Sequence, residues 1–216
     1  MSPIIISIKT AFVATFFTFF IGIFAARFVR DLRNFRGVID GIFTLPMVLP
    51  PTVVGFFLLI FFGNNGPLAP LLDKIGVQII FSYYATIISA IVVSFPLMYR
   101  TALGAFDQVD DNYLDAARTL GFSENKIFWK VLVPTAGPGL VSGVVLTFAR
   151  ALGEFGATIM IAGNIPGKTQ TISTAIYSAV QAGNRPLAFR WSLVVAGMSL
   201  VSMIILNKVT QEGVME

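Results

Sequence analysis

The sequence predicts an all-α polytopic membrane protein with five transmembrane helices. It reads as a single domain over residues 1–216, with a membrane core from about residue 4 to residue 207. Three observations lead there. Of 216 residues, 56% are hydrophobic and 12% charged, where soluble domains carry about 25% charged residues. Several apolar stretches approach the roughly 20 residues that a helix needs to cross a bilayer. The polar interruptions between them are too short for a separate soluble domain.

Residues 4–26 form the first span, dense in Phe12, Phe16, Phe17, Phe19, Phe20 and Phe24. A cleaved signal would place its basic residues before a shorter apolar core. Here only Lys9 precedes it, while Arg27, Arg30, Arg33 and Arg36 follow. Residues 37–62 form the second span and contain Pro46, Pro50 and Pro51. Each proline removes a backbone donor, so this span is expected to be kinked or broken. Broken backbone at membrane depth faces protein or a cavity, which makes the three prolines candidates for the pathway or a subunit interface. Residues 63–80 read as a loop, and 81–99 as the third span with Pro96 near its end. Residues 100–133 form a polar loop, and 134–162 contain the fourth span. Residues 163–186 form a loop with a short helix near 172–180, and 187–206 the fifth span. There is no internal repeat.

Orientation follows from lysine and arginine placement. Arg27, Arg30, Arg33, Arg36, Arg100, Arg118, Lys126, Lys130 and Lys208 fall on one side; Lys9, Lys74, Lys168, Arg185 and Arg190 fall on the other. The richer side is expected to be cytoplasmic, with the N-terminus outside and the C-terminus inside.

The polar loop contains two short helices around a glycine. Asp111 or Asn112 can cap the first, and Ser123 the second, with Glu124 in its first turn favoured by the helix dipole. Leu114, Ala117 and Leu120 share one face at helical spacing. Gly121 stands where a left-handed C-cap is expected. Taken alone, these features fit either an ordinary helical loop or a docking element.

Two further stretches invite chemistry. Residues 162–169, AGNIPGKT, satisfy a relaxed phosphate-loop pattern. Such a loop needs a preceding strand and a nucleotide domain; here a membrane span precedes it and Pro166 removes an amide, so an external turn is expected. Arg150 and Glu154 lie four apart inside the fourth span, on one helix face. Charges at that depth face a partner or a cavity. They are either an ion pair locking helices together or a pair lining the pathway or a subunit interface. Gly153 and Gly156, with Gly139 and Gly143, would allow close helix approach. The chain has neither Cys nor His, which removes thiol nucleophiles, disulfides, histidine bases and the usual zinc sites. No catalytic, metal or cofactor site is expected.

Asp115-Ala116-Ala117, then Gly121, then Val131, Val133 and Pro134, resembles the "EAA" loop of permease subunits of ATP-driven importers. That motif is written E-A-A, three residues, G, nine residues, I-x-L-P. Asp115 stands for its Glu, and Val131 and Val133 for its Ile and Leu. Residues 45–55 (LPMVLPPTVVG) and 95–98 (FPLM) resemble molybdate permeases. Residues 148–157 (FARALGEFGA) resemble both molybdate and sulfate permeases. Asn164-Ile165-Pro166-Gly167, Thr169, Thr171 and residues 175–177 lean to molybdate.

The resemblance implies the type I ABC importer permease fold and an importer of molybdate or tungstate, with a sulfate or thiosulfate permease as the alternative. It also implies two copies of this subunit, lipid around them, and an extracytoplasmic binding protein delivering the anion. Two cytoplasmic ATPase subunits would dock on a coupling loop that includes Leu114, Asp115, Ala116, Ala117, Leu120, Gly121, Ile127 and Pro134. ATP binding would draw the loops together and open the pathway outward; hydrolysis would reset it. The subunit itself would hydrolyse nothing and bind no nucleic acid. A secondary transporter would instead use the broken second span as a coupling-ion site and show an internal repeat. A structural adaptor would not need proline-broken spans.

Overall fold

The computed structural model describes residues 2–32 and 34–212, so Arg33 of the basic stretch lies outside the described residues. Helix α1 spans Pro3–Asp31. Ser2 caps it by accepting from the Ile5 amide at 3.4 Å, and Pro3 sits where a missing N–H is harmless. Its 29 residues extend roughly 43 Å, longer than a hydrocarbon core of about 30 Å. Small residues line its inner face: Ala11, Ala14, Thr18 and Ala26 are fully buried. Phe12, Phe16, Phe24 and Phe28 project outward. This is the arrangement of a helix solvated by lipid, where close backbone approach rather than burial of large side chains joins helices. At Gly22 a Cβ would lie 2.7 Å from Met98 Cγ, which is how tightly α1 meets α5.

The second apolar segment is broken. Helix α2 spans Arg36–Val48 and α3 spans Pro51–Phe62, and their axes differ by 107°. The three prolines have different fates. Pro46 stays inside α2, where a single intrahelical bond is lost. Leu49, preceding Pro50, and Pro50 itself are extended, because a proline disfavours the helical region for the residue before it. Pro51 then opens α3 at a position where no donor is required.

Residues 63–80 are not wholly loop: α4 occupies Ala69–Lys74. Helix α5 spans Tyr83–Asp107, well past the expected end at Tyr99. It continues because Met98, Ala102 and Phe106 carry its buried face on to the end, and Pro96 therefore lies in its middle. Helices α6 (Asp111–Thr119) and α7 (Glu124–Ile127) follow. A π-helical turn, Phe128–Leu132, leads into α8, Val133–Thr135. The wider turn relieves the clash that the Pro134 ring would make with the carbonyl four residues back.

Helix α9, Gly137–Leu152, leaves the preceding helical stretch at 75°. Gly139 and Gly143 let it close on α5: a Cβ there would lie 2.6 Å from Ala105 Cβ and 3.1 Å from Met98 Sδ. Its 16 residues reach only about 24 Å, and the chain breaks before α10, Gly156–Ile161. Glu154 therefore does not continue the helix of Arg150, as the spacing suggested; Gly153 ends that helix first. Gly153 is exposed and a Cβ there would meet only Ala149 O at 3.8 Å, so it gives no close helix approach. Helices α11 (Ile172–Gln181) and α12 (Arg185–Glu212) complete the chain.

Helices α1, α5 and α12 are long and apolar enough to cross a membrane, and the two bent pairs raise the number of spans to five if each pair is one span. The main core lies at the end bearing the arginines. There Val29, Tyr99, Phe106, Leu114, Ala117, Ile127 and Phe128 pack together.

Candidate functional site

The polar loop is a built structure. Its first helix is capped by Asp110, one residue before the expected Asp111 or Asn112: the Asp110 carboxylate accepts from the Asn112 amide at 2.9 Å. Helix α6 ends with the Phe122 amide on the Ala117 carbonyl (3.1 Å) and the Gly121 amide on the Arg118 carbonyl (2.9 Å). With Gly121 at φ +78°, this is a Schellman closure. Ser123 precedes α7 in extended conformation, but its hydroxyl makes no capping bond.

Leu114 and Ala117 point inward, onto the core shared with Val29 and Phe106. Leu120 does not join them, contrary to the helical periodicity. It is the C-cap residue, its backbone has left the helix, and its side chain is 74% exposed. It lies instead beside exposed Tyr113, Ala116 and Gly121. The loop thus presents a small apolar face to the outside while Leu114, Ala117 and Ile127 anchor it. Pro134 is exposed at the far end.

Charge fixes the two arms to each other. Arg118 donates to Asp115 at 2.7 Å and, through Nε, to Glu124 at 2.8 Å. These acceptors, Glu124 first, raise the guanidinium above its already high ordinary pKa, so Arg118 stays charged throughout. Charge also fixes the loop to the spans. Arg30 pairs with Asp111 at 2.8 Å and Arg36 with Asp107 at 2.7 Å. Arg27 donates to Asn125 at 3.1 Å and covers the Phe128 ring at 4.5 Å. Nearby, Asp40 of α2 accepts from Tyr99 (2.9 Å) and Arg100 (3.0 Å). Sequence reading gave the arginines a topological role only. The signal for pairing was the placement of Arg30 and Arg36 after the first span opposite the acids Asp107 and Asp111 after the third.

A second cluster lies where the broken spans meet. A Cβ at Gly156 would lie 2.9 Å from Pro51 Cβ, and one at Gly55 would lie 2.7 Å from Ala157 Cα. The structure thus brings Pro51 and Gly156 together, with Pro50 beside them and Pro46 a turn earlier in α2. Glu154, 3% exposed, sits at this junction. One carboxylate oxygen accepts from Arg150 at 2.8 Å, the other from the Ala157 amide at 2.8 Å. The pair forms across the end of α9, and the second oxygen of Glu154 holds the first turn of α10. Arg150 has a 36% exposed side chain.

Residues 18–211 match the family described as the binding-protein-dependent transport system inner membrane component. The chain belongs to this family. Among its relatives, YvgM of Bacillus subtilis (strain 168) is 40% identical over 209 residues, 96% of this chain and 92% of that protein. The molybdenum transport system permease protein ModB of Escherichia coli (strain K12) is 38% identical over 205 residues, 94% of this chain and 90% of that protein. Among solved structures, the MetNI methionine ABC transporter in inward-facing conformations superposes with a TM-score of 0.74. It shares 18% identity and covers 96% of this chain and 93% of that one, a likeness of fold alone. The all-α permease fold of ABC importers is therefore the fold of this chain. Family membership makes it a multi-pass inner-membrane transport subunit whose partners include an ATPase and a binding protein.

The AGNIPGKT stretch of this permease is a closed turn. The amides of Lys168, Thr169 and Gln170 all point to the Ile165 carbonyl (2.9–3.1 Å). The buried Thr169 hydroxyl accepts from the Ile165 amide at 3.0 Å. Amides that would cradle a phosphate are already used.

Proposed function

We propose that this permease forms the translocation pathway of an ATP-driven importer for molybdate. The observation that carries the substrate is near-full-length identity of 38% with a molybdenum transport permease; the resemblance of residues 45–55 and 164–177 points the same way. Tungstate, a tetrahedral dianion of similar size, is expected to compete.

Two copies of the subunit bring two junctions of Pro51, Gly156 and Glu154 to the pathway. Arg150 has a partly exposed side chain in a segment of membrane depth, and charge there does not face lipid. Its open side therefore faces water or the second copy. Two ATPase subunits dock on the outer face of the loop, where Tyr113, Ala116, Leu120 and Gly121 are exposed and apolar or small. Asp115 is exposed beside them, while buried Leu114, Ala117 and Ile127 transmit the movement inward. That end is cytoplasmic, which puts the C-terminus inside and the N-terminus outside; the excess of arginine and lysine supports it. The ATPase performs the hydrolysis.

The experiment is uptake of radiolabelled molybdate by cells that depend on this permease. Excess tungstate is expected to block uptake, and excess sulfate to leave it near its unchallenged rate. Sulfate competing as well as tungstate, or being accumulated itself, would reassign the permease to sulfate.

A further inference from the structure

We infer that the arginine-bearing end of α1 is the strut that carries movement of the coupling loop into the membrane, with Arg27 and Arg30 as its positioning residues. This rests on residues 114–129 being the ATPase-docking element.

The loop is held on both arms by one helix. Arg30 reaches Asp111 in the first turn of α6 at 2.8 Å. One turn earlier, Arg27 reaches Asn125 of α7 at 3.1 Å and lies over Phe128. The Arg30 side chain is 15% exposed and that of Asp111 79%, so the arginine is held in the body of the protein while its partner sits at the surface of the loop. Beneath these bonds the α6 residues Leu114 and Ala117 share a core with Val29 of α1. Between them runs a crevice of about 410 Å³ lined by both signs of charge, including Arg27, Arg30, Asp111 and Glu124.

The other exit from the loop is of a different kind. Toward α9 the chain passes a π-turn and a 75° bend before Gly137. Helix α1 meets α5 at Gly22 with no room for a Cβ beside Met98. Helix α5 in turn packs Val93 against Val54 and Ala157, at the junction of the broken spans. The loop packs on both helices, so α1 and α5 together give its movement a route to that junction. Setting topology requires basic residues near a span end but no particular spacing. The three-residue interval brings Arg27 and Arg30 onto opposite arms of one loop, a geometry that topology alone does not require.

The test is a charge exchange in permease reconstituted into lipid vesicles with its ATPase and binding protein. Arg30→Glu and Asp111→Arg are each expected to lower molybdate moved per ATP hydrolysed about fivefold. Copurification of the ATPase should stay at the wild-type level. The double exchange should recover most of the ratio. Asp111→Asn, which adds no charge that bears on insertion, should shift the ratio the same way by less. An unchanged ratio in both Asp111 variants, or no recovery in the double exchange, would overturn the strut. Failure of the docking reading shows differently, as wild-type ATPase copurification when Gly121 is replaced by valine.

Discussion

Valine at position 121 is expected to leave the permease inserted and dimeric but without a working ATPase attachment. Gly121 closes α6 with φ +78°, and a left-handed backbone costs an L-residue with a Cβ about 1–2 kcal/mol, with β-branched residues the worst suited. In the isolated subunit nothing lies within 4 Å of a Cβ at that position, so the strain is local and the spans are untouched. On the proposed docking an ATPase would fill that space, and overpacking there would add about 1–3 kcal/mol. Together these predict a loss of ATPase copurification and molybdate uptake on the order of 30-fold or more. Gly121→Asn separates the two costs, because asparagine tolerates positive φ yet adds bulk to the docking face. It should restore the loop while still weakening attachment. Gly121→Ala adds strain with one methyl and should be milder than valine. Copurification and uptake at wild-type level in the valine variant would show that this loop does not couple the two subunits.

The second large effect concerns Arg150 and Glu154, and it should be unequal. Arg150→Met leaves a carboxylate 3% exposed with only the Ala157 amide as partner. Stranding a buried charge costs about 3–5 kcal/mol, so folded yield and uptake should fall steeply. Glu154→Gln keeps an acceptor for the Ala157 amide and strands an arginine whose side chain is 36% exposed. Solvation of that exposed part reduces the cost. The double variant, with no stranded charge, should be less damaged than Arg150→Met alone. Thermal midpoint of the detergent-solubilised permease and uptake in vesicles measure this. Additive effects of the two changes would show that the pair is not coupled.

Much of this fold was legible because membrane spans announce themselves by length and apolarity, as residues 4–26 and 81–99 do. The Pro50-Pro51 break was legible because proline chemistry is local. What escaped depended on where helices end. Periodicity placed Leu120 with Leu114 and Ala117, but it holds only while the helix lasts, and Leu120 is the cap. The same limit put Glu154 on the helix of Arg150, whereas Gly153 ends that helix and the pair forms across the break. The bonds from Arg27 to Asn125 and from Arg30 to Asp111 join residues 98 and 81 positions apart. One sequence shows the charges and their spacing, but not which distant partners meet. Gly121, by contrast, was readable from a turn that only its own neighbours define.

A cross-link from the exposed face of α6 to the ATPase tests the docking face directly. The chain has no cysteine of its own, so Leu120→Cys and Asn65→Cys each provide a single reactive position at opposite ends of the protein. A short bifunctional reagent in membranes holding permease, ATPase and binding protein should join Leu120→Cys to the ATPase and leave Asn65→Cys free of it. A link from Asn65→Cys to the ATPase, with none from Leu120→Cys, would contradict both the docking face and the orientation.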